Sequence, residues 1–166
     1  IQFSFFVDIG FLSRLDEERK GFPQLEKDYQ SICNQLKQLN LLGHDLQLHI
    51  HPHWENSHFD GKKWKIDLSK YKLTDFADDK ITEIITNYKT YLEQFTSLDK
   101  LIAYRAGGWC LQPFYKIKNA LQQNNIRIDS SVYKGGHFVT EQYDYDFRNA
   151  PAKDIYRFDD DVIIEK

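Results

Sequence analysis

The sequence predicts an α/β fold built on a parallel sheet. Two patterns and their punctuation predict it. Short apolar or alternating runs recur at 3–7, 45–50, 101–104 and 126–128. Amphipathic helical patterns lie between them, and Gly43, Pro113 and Asn124-Asn125 stand where elements should stop or start. Strands that alternate with such helices imply right-handed crossovers, hence a parallel sheet or barrel.

Phe3 to Val7 is a continuous apolar run of the kind buried on both faces of a parallel sheet. From Pro23 a helix is expected, with Leu25, Tyr29, Ile32, Leu36 and Leu39 near helical spacing. Gly43 suits its left-handed stop. Asp45 to Ile50 alternates, so Leu46, Leu48 and Ile50 share one face and Gln47 and His49 the other. The polar stretch 54–76 carries an Asp60-Gly61 turn or hairpin signal. Loops this long usually carry function or cover a site. Asp78 or Asp79 is expected to cap the next helix, whose stripe is Ile81, Ile84, Ile85, Tyr88, Leu92 and Phe95. Leu101 to Tyr104 reads as the third strand. Pro113 suits the first turn of a helix with Phe114, Ile117 and Leu121 inside. Ile126 to Ile128 reads as the fourth strand, and the chain from Val132 onward as mostly irregular. No internal repeat or low-complexity linker divides residues 1–166, so one domain is expected.

With 166 residues the chain can bury a real core. Its 41% hydrophobic and 28% charged content is that of a soluble globular protein. A net charge of −3 without a basic stripe argues against nucleic acid as a partner. No apolar run is long enough to span a bilayer, and neither a basic n-region nor a small-residue cleavage site marks a signal peptide. Cys33 and Cys110 cannot build a disulfide framework, which leans toward a reducing compartment, and a cytoplasmic location is expected. The chain begins at Ile1 without Met, in a strand pattern, and ends in another; a piece of a longer protein is expected.

His49-Ile50-His51-Pro52-His53-Trp54 carries the chemistry. Three histidines in five residues make a poor core and a good metal site, because neutral imidazole ligates zinc and similar ions. The pair His49/His51 suits a straight strand; the pair His49/His53 suits a strand end that curls, and Pro52 favours the curl. In a parallel sheet all strand C-termini share one face, so His49, His51, His53, Arg105, Gly107, Trp109 and Asp129 should converge. Gly107 and Gly108 let backbone approach a ligand closely, and Arg105 can orient a carboxylate. Asp129 can pair with Arg105 or cap a turn through its own backbone. His44 lies on the opposite rim and reads as structural; His58 and His137 are in loops.

The frame 43–53, a glycine-led strand ending in His-x-x-x-His, resembles the second motif of the NodB-homology polysaccharide deacetylases, carbohydrate esterase family 4. Phe3-Ser4-Phe5-Phe6-Val7-Asp8 resembles the family's second strand. Tyr104-Arg105-Ala106-Gly107-Gly108-Trp109 resembles the third motif, with Gly107 in place of its proline. Asp129-Ser130-Ser131 falls at the fourth motif. The combination is similar to the divergent branch associated with O-antigen and surface polysaccharide gene clusters. The resemblance covers most of residues 1–132.

The resemblance implies a deformed (β/α) barrel that lacks its first and last strands here. It implies a metal-dependent hydrolase that removes N-acetyl groups from a carbohydrate, an N-acetylated sugar or polysaccharide precursor. A divalent ion, zinc, would sit on His49, His53 and an aspartate upstream of Ile1. That upstream motif also supplies the catalytic base, and the general acid is expected beyond Lys166. Arg105 and Asp129 would be catalytic residues that orient the base. Gly107 and Gly108 would border the sugar site, Trp54 and Trp109 would line it or serve as lid packing, His51 would be an extra ligand or a substrate contact, and Asp8 would lie near the rim. Two other readings fit the residues. One is a His-x-His metal amidohydrolase using His49 and His51. The other is a non-catalytic carbohydrate- or metal-binding module of deacetylase ancestry.

Overall fold

A computed structural model describes residues 1–97 and 99–166. In chain order its elements are β1 (Ser4–Asp8), α1 (Ile9–Glu18), α2 (Glu26–Leu41), β2 (Asp45–Ile50), β3 (His58–Phe59), β4 (Trp64–Lys65), α3 (Asp78–Leu92), β5 (Ala103–Ala106), α4 (Tyr115–Gln123), β6 (Ile128–Asp129), β7 (His137–Val139) and β8 (Asp144–Asp146). Four strands form a parallel sheet in the order β1-β2-β5-β6. The helices supply the crossovers. Among the described residues, no helix is long and apolar enough to cross a membrane.

The alternation in β2 sets the layers. Leu46, Leu48 and Ile50 are fully buried in the cluster formed with α1, α2 and α3, while Gln47 and His49 face the other way. From α3, Ile81, Ile84, Ile85, Tyr88 and Leu92 enter that cluster, as their spacing requires. Gly43 ends the α2 connection at φ +81°, with the His44 amide bonded back to the Leu39 carbonyl.

Several elements depart from expectation. Helix α1 lacks a sequence-level signature. Its stripe is only Ile9, Leu12 and Leu15, and Gly10 interrupts its start. Gly10 is there for packing: a Cβ would come within 3.1 Å of Tyr88 and 3.2 Å of Trp54. Strand β1 is not buried on both faces. It lies at the sheet edge with β2 as its neighbour, and Phe3 and Phe5 are exposed, packing tilted and edge-on against His44. The third and fourth strands begin two residues later than predicted, so Arg105 and Asp129 lie inside them. Neither Asp78 nor Asp79 caps α3. Ala77 holds the cap position, and the two carboxylates sit in the first turn, where the helix dipole favours them. The chain after Val132 is not wholly irregular, because β7 and β8 pair as a hairpin. The Asp60-Gly61 signal is realised as the β3–β4 hairpin, with Asp60 Oδ1 accepting from the Lys62 and Lys63 amides.

Candidate metal centre

The sheet register assembles the centre. His49 of β2 is the Cα partner of Asp8 of β1 on one side and of Arg105 of β5 on the other, at the C-terminal ends of three parallel strands. In-register residues of a parallel sheet share a face, so these three lie in one row. His51 follows β2, and His53 lies on the single helical turn Pro52–Glu55 that the proline initiates.

His49 Nδ1 lies 2.8 Å from the Arg105 carbonyl oxygen. A carbonyl only accepts, so Nδ1 carries the proton and Nε2 presents a lone pair. That lone pair faces His51 Nε2 at 3.0 Å, with the two rings 85° apart. Two nitrogens bound to one tetrahedral zinc at about 2.0–2.1 Å would be about 3.3 Å apart, so the pair is close to a chelating spacing.

His53 is 91% buried, stacked nearly parallel on Tyr71 and packed beside Trp54. Burial lowers the pKa of His51 and of His53, and the Asp8 charge opposes this in both. Neutral imidazole is the form that ligates a metal. His51 Nδ1 and His53 Nδ1 are buried without a hydrogen-bond partner, as is Asp8 Oδ1. Such atoms fit a centre that takes up an ion or water. Among the described residues, however, no group of three or more His, Cys, Asp or Glu side chains is assembled as a metal site.

The turn under the histidines is tied down from two helices. Arg14 of α1 donates to the Trp54 and Glu55 carbonyls at 3.0 and 2.8 Å. Glu55 accepts from Tyr88 Oη at 2.6 Å and pairs with Lys80. Trp54 Nε1 donates to Asp8 Oδ2 at 3.1 Å. Trp54 itself is buried among Phe11, Trp64 and His53. In this position it packs under the turn, one of the two roles open to it.

Gly107 and Gly108 pack the next turn onto the centre. A Cβ on Gly107 would lie 2.5 Å from the Ile50 carbonyl oxygen and 2.7 Å from His51 Nδ1. This close approach is the physical reason for glycine at that position. Gly108 and Trp109 both adopt left-handed φ, +58° and +59°. Trp109 is half-exposed beside Tyr133 and Tyr145.

Of the two roles open to Asp129, the structure shows the turn cap and not the ion pair with Arg105. Asp129 is the Cα partner of Tyr104, so Arg105 faces the opposite side of the sheet and meets Ser130 instead. It donates to the Ser130 carbonyl at 3.1 Å and to Ser130 Oγ at 2.8 Å, with its guanidinium 4.3 Å above the Phe6 ring. Asp129 caps its own turn, accepting from the Ser131 amide and hydroxyl at 2.8 Å each. Burial pushes its carboxyl up to about 6, against the pull of those hydrogen bonds and of Arg105. His58 and His137 lie on the β3 and β7 hairpins, exposed, and His44 takes the Phe3 amide on the far rim.

Sequence reasoning missed Arg14, Tyr71, Tyr88 and Glu55, all of which touch the centre or its turn. Tyr88 was legible as part of the α3 stripe, but its hydrogen bond to Glu55, like the contacts of Arg14 and Tyr71, joins residues distant in sequence and leaves no spacing signal. Comparison with protein-family models, with curated proteins and with solved structures finds no match for this chain.

Proposed function

We propose that this chain carries the histidine part of a metal-dependent carbohydrate N-deacetylase centre. The observation that supports it most is the set of buried, unpartnered imidazole nitrogens on His51 and His53, next to a His49 lone pair aimed at His51. On this reading the four parallel strands are an arc of a deformed (β/α) barrel, with the centre at the strand C-termini, where that architecture places its chemistry. The substrate is an N-acetylated sugar or polysaccharide precursor of O-antigen or surface polysaccharide biosynthesis, handled in the cytoplasm. A bound zinc would polarise the acetamide carbonyl and activate water for attack. His49 and His53 hold the ion, and the Arg105 carbonyl fixes the His49 tautomer. The Arg105 side chain, on Ser130, orders the β5–β6 edge beside the centre. Trp109 offers its half-exposed ring to the sugar.

A second reading is favoured by one distance. The 3.0 Å approach of His49 Nε2 to His51 Nε2 suits a His-x-His ligand pair, as in a metal amidohydrolase. Zinc-dependent acetate release from N-acetylated sugars, measured on the product of the complete reading frame, tests the proposal. Release that disappears with chelator and returns with zinc supports it. No release with any divalent ion, from a protein that binds zinc, overturns the deacetylase activity.

A further inference from the structure

Asp8 is placed at the first cap position of α1, where an aspartate ordinarily accepts a hydrogen bond from the helix's own amides. It makes no such bond. Forgoing a cap costs about 1 kcal/mol, so the carboxylate is held elsewhere for a reason. One oxygen, Oδ2, is held by the Trp54 indole at 3.1 Å. The other, Oδ1, is buried and has no partner. A buried carboxylate oxygen without a donor is costly unless something positive compensates it. The nearby cationic side chains are engaged elsewhere: Arg14 on the Trp54 and Glu55 carbonyls, Arg105 on Ser130.

We infer that Asp8 is the carboxylate of the histidine centre, a positioning residue whose charge draws a dication onto the imidazoles. The inference rests on the metal reading above. It adds an acidic group supplied by β1 of this chain, in register with His49. Among the described residues no three donor side chains are assembled at a metal site. Asp8 therefore acts by charge from beside the nitrogen pair and not as one of a preformed ligand set. Three of the four buried unpartnered side-chain atoms among the described residues, those of Asp8, His51 and His53, then have one common explanation.

The test is a calorimetric zinc titration of the 166-residue chain, wild type against Asp8→Asn and Trp54→Phe. Asn keeps an acceptor for the Trp54 indole and removes the charge. Asp8→Asn should weaken zinc binding about 10- to 100-fold, the range seen when outer partners of metal ligands are removed. Melting without zinc should not fall, because the variant removes an uncompensated buried charge, and the rise in Tm on adding zinc should shrink. Trp54→Phe frees Oδ2 but keeps the charge, and should retain zinc affinity. Asp8→Asn binding zinc as tightly as wild type overturns the role of Asp8 and leaves the histidine reading standing. Wild type that binds no zinc overturns both. If Asp8→Asn does not fold, Trp54→Phe decides: loss of zinc binding there assigns the effect to packing and overturns the inference.

Discussion

His49 Nε2 stands 3.0 Å from His51 Nε2, while His49 Nδ1 is committed to the Arg105 carbonyl at 2.8 Å. The strand neighbour thus decides which nitrogen of His49 is free. His49 belongs to both candidate ligand pairs, so His49→Ala should weaken zinc binding by at least about 100-fold, more than an outer partner would. The partner is then read from two further variants. His53→Ala losing as much as His49→Ala supports the His-x-x-x-His frame. His51→Ala doing so, with His53→Ala near wild type, supports the His-x-His pair. Retained affinity in His49→Ala removes the centre from either frame.

Gly107→Ala should cost about 2 kcal/mol or more, in the range of overpacked sites. The added Cβ meets the Ile50 carbonyl oxygen at 2.5 Å, and a backbone atom cannot rotate away. The same methyl presses on His51 Nδ1 at 2.7 Å. A urea melt should therefore show lower stability, and the His51 ring resonances should shift. Wild-type stability in this variant would mean that the turn yields without strain.

The hydrophobic layers were legible because burial alone dictates them. Leu46, Leu48 and Ile50 alternate, and Ile81, Ile84, Ile85, Tyr88 and Leu92 repeat at helical spacing, whatever the rest of the chain does. The convergence of His49 and Arg105 was legible for the same reason, since parallel strands present their ends together. The position of α1 was not, because Gly10 and a narrow stripe leave little periodic signal. The Arg105–Asp129 relation failed on register. Asp129 pairs with Tyr104 across β5 and β6, and alternation turns it to the face opposite Arg105. Asp8 was visible as a residue near the rim. Its forgone cap and its bond to Trp54 are tertiary facts, across 46 positions of sequence.

Two sets of buried groups should pull stability in opposite directions with pH. His51 and His53 have folded pKa values below the ordinary 6.5. The unfolded chain therefore binds more protons, and their contribution is full above about 6.5 and is lost as pH falls. Asp129 is raised from 3.8 to about 6, so its contribution is full below 3.8 and is lost as pH rises through 6. That interval corresponds to about 3 kcal/mol at most. Asp129→Asn should thus gain on wild type between pH 4 and pH 7, in urea melts at each pH. Parallel pH profiles for the two proteins would show that Asp129 ionises normally.

Trp109 is held at φ +59°, a conformation that costs a side-chain-bearing residue about 1–2 kcal/mol, and the residue is 45% exposed. Strain spent on presenting an aromatic surface next to a candidate centre motivates a ligand-binding role. Trp109→Ala separates the ring from the backbone, because alanine pays the same left-handed cost. Stability should then fall only by the partial burial of the ring against Tyr133 and Tyr145, about 2 kcal/mol or less. Binding of an N-acetylated oligosaccharide should weaken about tenfold, the loss of one aromatic face. Zinc affinity should not change, since no histidine of the centre stacks on this ring. Saturation-transfer NMR with N,N′-diacetylchitobiose, on wild type and variant, measures the first effect; calorimetry with zinc measures the second. Unchanged sugar transfer to Trp109→Ala would remove this ring from the binding surface and leave its backbone strain as a packing consequence of the turn at Gly108.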